Sequence, residues 1–104
     1  MTQTNLPKAI LHIDDDPVMR EVTAMIFTRS APSIKLKSAA HIEEALHALE
    51  NFTPALILLD IHMPDMNGFE MLSLLREHPS AKNCPVIFLT GNALLADTYR
   101  QDDP

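Results

Sequence analysis

The chain is poor in cysteine: Cys84 stands alone among 104 residues. A lone thiol excludes an internal disulfide framework and suits a reducing compartment. Its expected role is that of a small packing residue. Aromatic residues make up only 5% of the sequence, so the core must be built mainly from Leu, Ile, Val, Met and Ala. No apolar run approaches the ~20 residues that cross a bilayer. The N-terminus, Met1 to Asn5, lacks the basic-then-apolar order of a secretory leader. The expected location is therefore the cytoplasm, with no membrane partner. Positive charge is also short: 8 Lys and Arg stand against 14 Asp and Glu, a net charge of −6. That balance argues against nucleic-acid binding by a general basic surface. No internal repeat, low-complexity stretch or linker interrupts the chain. Its 104 residues, 46% of them hydrophobic, leave room for one core, so a single domain over 1–104 is expected.

What is present is an alternation of apolar runs and amphipathic stretches. Ala9-Ile10-Leu11-His12-Ile13 reads as a first strand. Asp16 then suits an N-cap and Pro17 the first helical position. Met19, Val22 and Ile26 recur at spacings of three and four and mark one apolar helical face. Met19, Met25 and Met71 fit helix-face packing. Ala31-Pro32-Ser33 stops the first helix, and Ile34-Lys35-Leu36-Lys37 alternates as a half-exposed edge strand does. A second helix is expected over roughly 41–51, with Ile42, Ala45, Leu46 and Leu49 inward. Ala55 to Leu59 is apolar on both faces, the mark of a central parallel strand. Phe69, Leu72 and Leu75 mark a third helix, Pro85 to Leu89 a fourth buried strand, and Ala93 to Arg100 a fourth helix. Such alternation predicts a doubly wound α/β fold, a parallel sheet with helices on both faces joined by right-handed crossovers.

Chemistry-bearing residues fall at the ends of those strands. Asp14, Asp15 and Asp16 follow the first, Asp60 ends the third, and Thr90-Gly91 follows the fourth. In a doubly wound sheet the carboxyl ends share one edge, so Asp14, Asp15, Asp60 and Thr90 should converge. Carboxylates held together repel one another unless one is protonated or a cation neutralises them. Hard oxygen donors favour Mg²⁺, which commonly takes one or two carboxylates together with phosphate oxygens. Asp60 on an exposed strand end could act as a nucleophile toward an activated phosphoryl group. Asp16 suits helix capping better than metal binding. His12, His41, His47 and His78 show no spacing of zinc ligands and suit surface or packing roles.

The stretches Leu11-His12-Ile13-Asp14-Asp15-Asp16-Pro17-Val18-Met19-Arg20, Leu58-Leu59-Asp60-Ile61-His62-Met63-Pro64-Asp65-Met66-Asn67-Gly68 and Ile87-Phe88-Leu89-Thr90-Gly91 together resemble the receiver domain of bacterial response regulators, the chemotaxis-regulator type included. The resemblance runs from about Lys8 to Tyr99. It implies a flavodoxin-like, three-layer α/β/α fold with sheet order 2-1-3-4 and a fifth strand that is missing. It implies that Asp60 is the phosphoacceptor of a two-component system and forms an aspartyl-phosphate. Asp15 would ligate Mg²⁺ directly, Asp14 directly or through water, and Asp60 and the His62 main-chain carbonyl would complete the protein ligands. Thr90 would be the switch hydroxyl. His62 and Asn92 would tune the lifetime of the phosphoryl group. The implied partner is a sensor histidine kinase or a phosphotransfer protein, and the domain is a self-phosphorylating acceptor rather than a turnover enzyme.

The sequence departs from the family where a fifth strand, its terminal Lys, an aromatic switch residue and a fifth helix are expected. Lys82 lies before strand four, at the wrong end of the sheet, and Tyr99 falls in the fourth helix. The expectation is a C-terminally incomplete receiver with an open strand-four edge and an uncovered sheet face, and so a homo-oligomer, a swapped arrangement or a shortened chain. Two other readings are open. One is a receiver-like interaction module without phosphoryl chemistry. The other is a haloacid-dehalogenase-type phosphatase with Asp14 as nucleophile and Asp16 as general acid, which leaves the Asp60 loop unexplained.

Overall fold

Three short apolar runs and one alternating stretch become four parallel strands. The structure, a computed structural model, describes residues 8–60 and 67–89. In chain order its elements are β1 (Ala9–Ile13), α1 (Pro17–Ser30), β2 (Lys35–Ala39), α2 (Ile42–Ala48), β3 (Leu56–Asp60), α3 (Gly68–Arg76), a 3₁₀ turn (Pro79–Ala81) and β4 (Val86–Leu89). The sheet order is β2-β1-β3-β4, and every pairing is parallel. This is the α/β receiver order expected from the sequence. β1 lies at the centre, and Ile10, Leu11, His12 and Ile13 are all buried, as a strand covered on both faces requires.

Register sorts the side chains between the two faces. Ile57 stands beside both Leu11 and Val86, and Leu59 beside both Ile13 and Phe88. These rows share one face, because neighbours in a parallel ladder point the same way. Leu11, Ile13, Ile57 and Leu59 form one buried cluster with Ala45 and Leu49 near α2 and with Met71 and Leu75 of α3. Each fully buried Leu or Ile contributes about 1.5–3 kcal/mol, which makes this face the main source of stability. Cys84 belongs to the same cluster, and burial pushes its thiol pKa up, as a packing residue's should be.

Local signals set the helix ends. The Asp16 carboxylate accepts the Val18 N–H at 3.0 Å, with Pro17 in the first turn, so α1 begins where the sequence predicts. Asn67 and Glu70 form a reciprocal capping box at α3: Asn67 Oδ1 accepts from the Glu70 N–H at 2.9 Å, and Glu70 Oε1 accepts from the Asn67 N–H at 3.3 Å. His41 and His78 act as caps through Nδ1, accepting from Glu44 N–H at 3.3 Å and Ser80 N–H at 3.2 Å. Arg76 closes the segment between α3 and β4 by donating to the carbonyls of Ala81, Lys82 and Cys84.

Three expectations shift. β2 is set one residue later and runs two further, to Ala39, because its partner β1 continues pairing through Ile13 and Ala39. α2 is shorter than its apolar pattern, with turns after Ala48. The largest change concerns α1. Met19, Val22 and Ile26 form the stripe expected from their spacing, yet they are 46%, 40% and 54% exposed, and Val18 and Met25 are exposed too. Met19 and Met25 therefore do not pack as expected, whereas Met71 does. Right-handed crossovers place α1 on the sheet face opposite α2 and α3. No second helix lies beside α1 among the described residues, so its stripe finds little to pack against.

Candidate functional site

Parallel pairing of β1 and β3 sets their carboxyl ends side by side. Ile13 pairs with Leu59, so the next residues, Asp14 and Asp60, emerge together at the edge of the sheet. Asp15 follows on the loop into α1. One carboxylate oxygen from each of Asp14, Asp15 and Asp60 lies within 4.8 Å of the others. Asp14 is buried, Asp60 half-buried and Asp15 exposed, so the cluster opens to solvent on one side. Thr90, His62 and Asn92 lie outside the described residues. Lys82 precedes β4, at the opposite end of that strand, as its sequence position implies.

Asp14 is held on several sides. Its N–H donates to the Ala39 carbonyl at 3.0 Å, and its carbonyl accepts Arg20 Nη1 at 2.8 Å. Its Oδ1 accepts the Asp16 N–H at 3.0 Å. Its Oδ2 lies 3.6 Å from His12 Nε2. Burial, together with the adjoining Asp60 and Asp15 carboxylates, pushes the Asp14 pKa up to about 6, against the pull of the Asp16 N–H. Asp16 spends its own carboxylate on the helix cap, as expected.

His12 lies against the acidic edge, a position that the sequence reading did not single out. The histidines were expected to have surface or packing roles, and His12, 1% exposed, is packed inside, directly behind Asp14. Burial depresses its pKa, the Asp60 charge opposes that shift, and the Arg20 charge reinforces it. A usable signal existed. Residues two apart on a strand share a face, so a histidine two before Asp14 points the same way.

A hard dication suits this donor set. The cluster offers three carboxylates at close range, and the upward displacement of Asp14 shows that the site disfavours its own negative charge. Asp14, Asp15 and Asp60 are the described side chains that could hold such an ion.

Known proteins share this arrangement. Residues 10–101 match the response regulator receiver domain family. Response regulator Rre1 of Synechocystis is 35% identical over 91 residues, covering 88% of this chain and 39% of that protein. The chain thus spans well under half of that relative's length. A CheY-like receiver domain protein of Methanospirillum hungatei superposes with a TM-score of 0.72 at 30% identity, covering 91% of this chain and 74% of that one. The chemotaxis response regulator CheY4 of Vibrio cholerae gives a TM-score of 0.71 at 25% identity, with 84% and 71% covered. With the sheet order and the acidic edge already in place, the chain belongs to the response regulator receiver domain family.

Proposed function

We propose that this domain accepts a phosphoryl group on Asp60 from a phosphohistidine of a sensor kinase or phosphotransfer protein, with Mg²⁺ held at the acidic edge. The convergence of Asp14, Asp15 and Asp60 within 4.8 Å carries this reading. A carboxylate oxygen of Asp60 attacks phosphorus, the P–N bond of the donor breaks, and the imidazole leaves with the electron pair. Asp14 and Asp15, with Asp60 and the His62 carbonyl, would hold the cation. When bound, the cation offsets charge on the phosphoryl oxygens. Thr90 would donate its hydroxyl to one of those oxygens, and His62 and Asn92 would govern access of water to the product. The step consumes one donor per acceptor, which makes the domain a receiver and not a turnover enzyme.

Two observations speak against Asp14 as the nucleophile. It is 5% exposed, and Asp16, the general acid of that alternative, is engaged as a helix cap. The described helices include none long and apolar enough to cross a membrane, in keeping with a cytoplasmic signalling role. Self-association remains part of the reading: β4 stands at the edge of the described sheet with Ile87 49% exposed, near a face where α1 also leaves apolar side chains in solvent.

The test is intact-mass spectrometry after incubation with Mg²⁺ and acetyl phosphate. The native chain should gain one phosphoryl group, and Asp60→Asn or chelation should abolish the gain. A gain that survives Asp60→Asn, or that maps to Asp14, overturns the proposal. No gain in the native chain favours a docking module instead.

A further inference from the structure

Helix α1 is apolar on a face that the sheet does not use. Arg20, Thr23, Ala24 and Phe27 follow helical spacing and are half-buried, so they form the side that lies on the sheet. Val18, Met19, Val22, Met25 and Ile26 lie on the other side and are from 40% to 61% exposed. Five such side chains on a helix of 14 residues form a continuous patch, not a scatter. The patch reads the same in both directions along the chain. Val18 and Ile26 stand four residues either side of Val22, and Met19 and Met25 stand three. Charge continues the pattern with opposite sign: Asp15 and Arg29, both exposed, stand seven residues either side.

We propose that α1 is the surface on which a second copy of this chain docks, the two helices antiparallel about a twofold axis at Val22. A twofold interface is self-complementary: where residue i meets j, j meets i. About that axis Val22 meets its own counterpart. Val18 meets Ile26, Met19 meets Met25, and Asp15 meets Arg29, each pair formed twice. The arrangement also sets the N-terminal end of each helix dipole beside the C-terminal end of the other. A parallel pair would set Asp15 against Asp15 and Arg29 against Arg29, which repel. One helix pair makes a small interface, so the dimer is weak. Its consequence is local: the Arg29 guanidinium of each copy comes beside the acidic edge of the other. The inference rests on the self-association proposed above and assigns its surface to α1 instead of the β4 edge. It is independent of the chemistry at Asp60.

Sedimentation equilibrium from micromolar to millimolar protein reads the association, and circular dichroism melts confirm that each variant is folded. Arg29→Asp makes both charge pairs repulsive and should weaken dimerisation by about tenfold. Asp15→Arg should do the same. The two changes together should restore it, because each copy then offers the swapped pair. Mild oxidation should cross-link Val22→Cys across the axis but not Glu43→Cys, which is exposed on α2, while the native Cys84 stays buried. Association that survives both single substitutions, or no rescue by the double one, overturns α1 as the surface and leaves self-association standing. So does the absence of a Val22→Cys cross-link in a chain that dimerises. A native chain that stays monomeric overturns both. Alkylation of the Val22→Cys variant then tells what replaces the dimer: a protected thiol means that another segment of the same chain covers the stripe, and a reactive one leaves it to a different partner.

Discussion

Replacing Asp14 with Asn probes the charge balance of the acidic edge directly. The amide keeps the shape and can still accept the Asp16 N–H, but it removes one of three crowded negative charges. The Asp14 pKa rises from 3.8 to about 6 on folding. Two units at ~1.36 kcal/mol each set a ceiling of ~3 kcal/mol. Solvent screening at the open side of the cluster, and the amide N–H turned toward His12, reduce this to about 1.5 kcal/mol. The sign follows from the direction of the shift. A carboxyl whose pKa is raised in the fold favours the fold while protonated, below about pH 3.8, and that support is lost as pH rises through about 6. Asp14→Asn should therefore match the native chain near pH 4 and exceed it by about 1.5 kcal/mol at pH 7. In a domain of this size that is a rise in Tm of roughly 5–10 °C. Urea unfolding at half-unit steps from pH 4 to 7.5 reads the difference. Both proteins carry His12, whose depressed pKa weakens either fold as pH falls below 6.5; because it touches Asp14, the difference between them reports Asp14 together with that contact. Mg²⁺ should stabilise the native chain more than the variant and so close the gap. A gap that is constant across the pH range, or a variant less stable at pH 7, refutes the electrostatic account.

Asp16→Ala removes the cap on the Val18 N–H and should cost about 1 kcal/mol by urea unfolding while leaving Mg²⁺ affinity within about twofold. A large loss of affinity would make Asp16 a ligand. Val22→Ser with Ile26→Ser changes the exposed stripe of α1, so stability should move by no more than about 0.5 kcal/mol per site and concentration-dependent association in sedimentation should weaken. A loss above about 2 kcal/mol per site would place these residues in a core.

Much of the fold was legible because its signals are local. Asp16-Pro17 caps α1 where a cap and an N1 proline should stand, and the apolar run before Asp60 becomes a strand bordered on both sides. Strand periodicity also read β2 correctly, with Lys35 and Lys37 exposed. The α1 stripe misled, because a helical period shows that a face is apolar but not what covers it. His41 and His78 escaped notice as caps, since imidazole is an uncommon choice for that task. His12 could be placed on the Asp14 side from its position two residues earlier, but nothing in the local pattern measured how completely the fold would bury it.

By itself the sequence determined which residues could carry chemistry and at which strand ends they fall, because turn residues and apolar periods are written in consecutive positions. It could not decide which strands would be neighbours. Tertiary structure settled that by laying β3 beside β1, bringing Asp60 to Asp14 and Asp15 across more than forty residues of chain and burying His12 behind them. The elevated pKa of Asp14 exists only there, since it arises from burial and from carboxylates that distant parts of the chain place within reach.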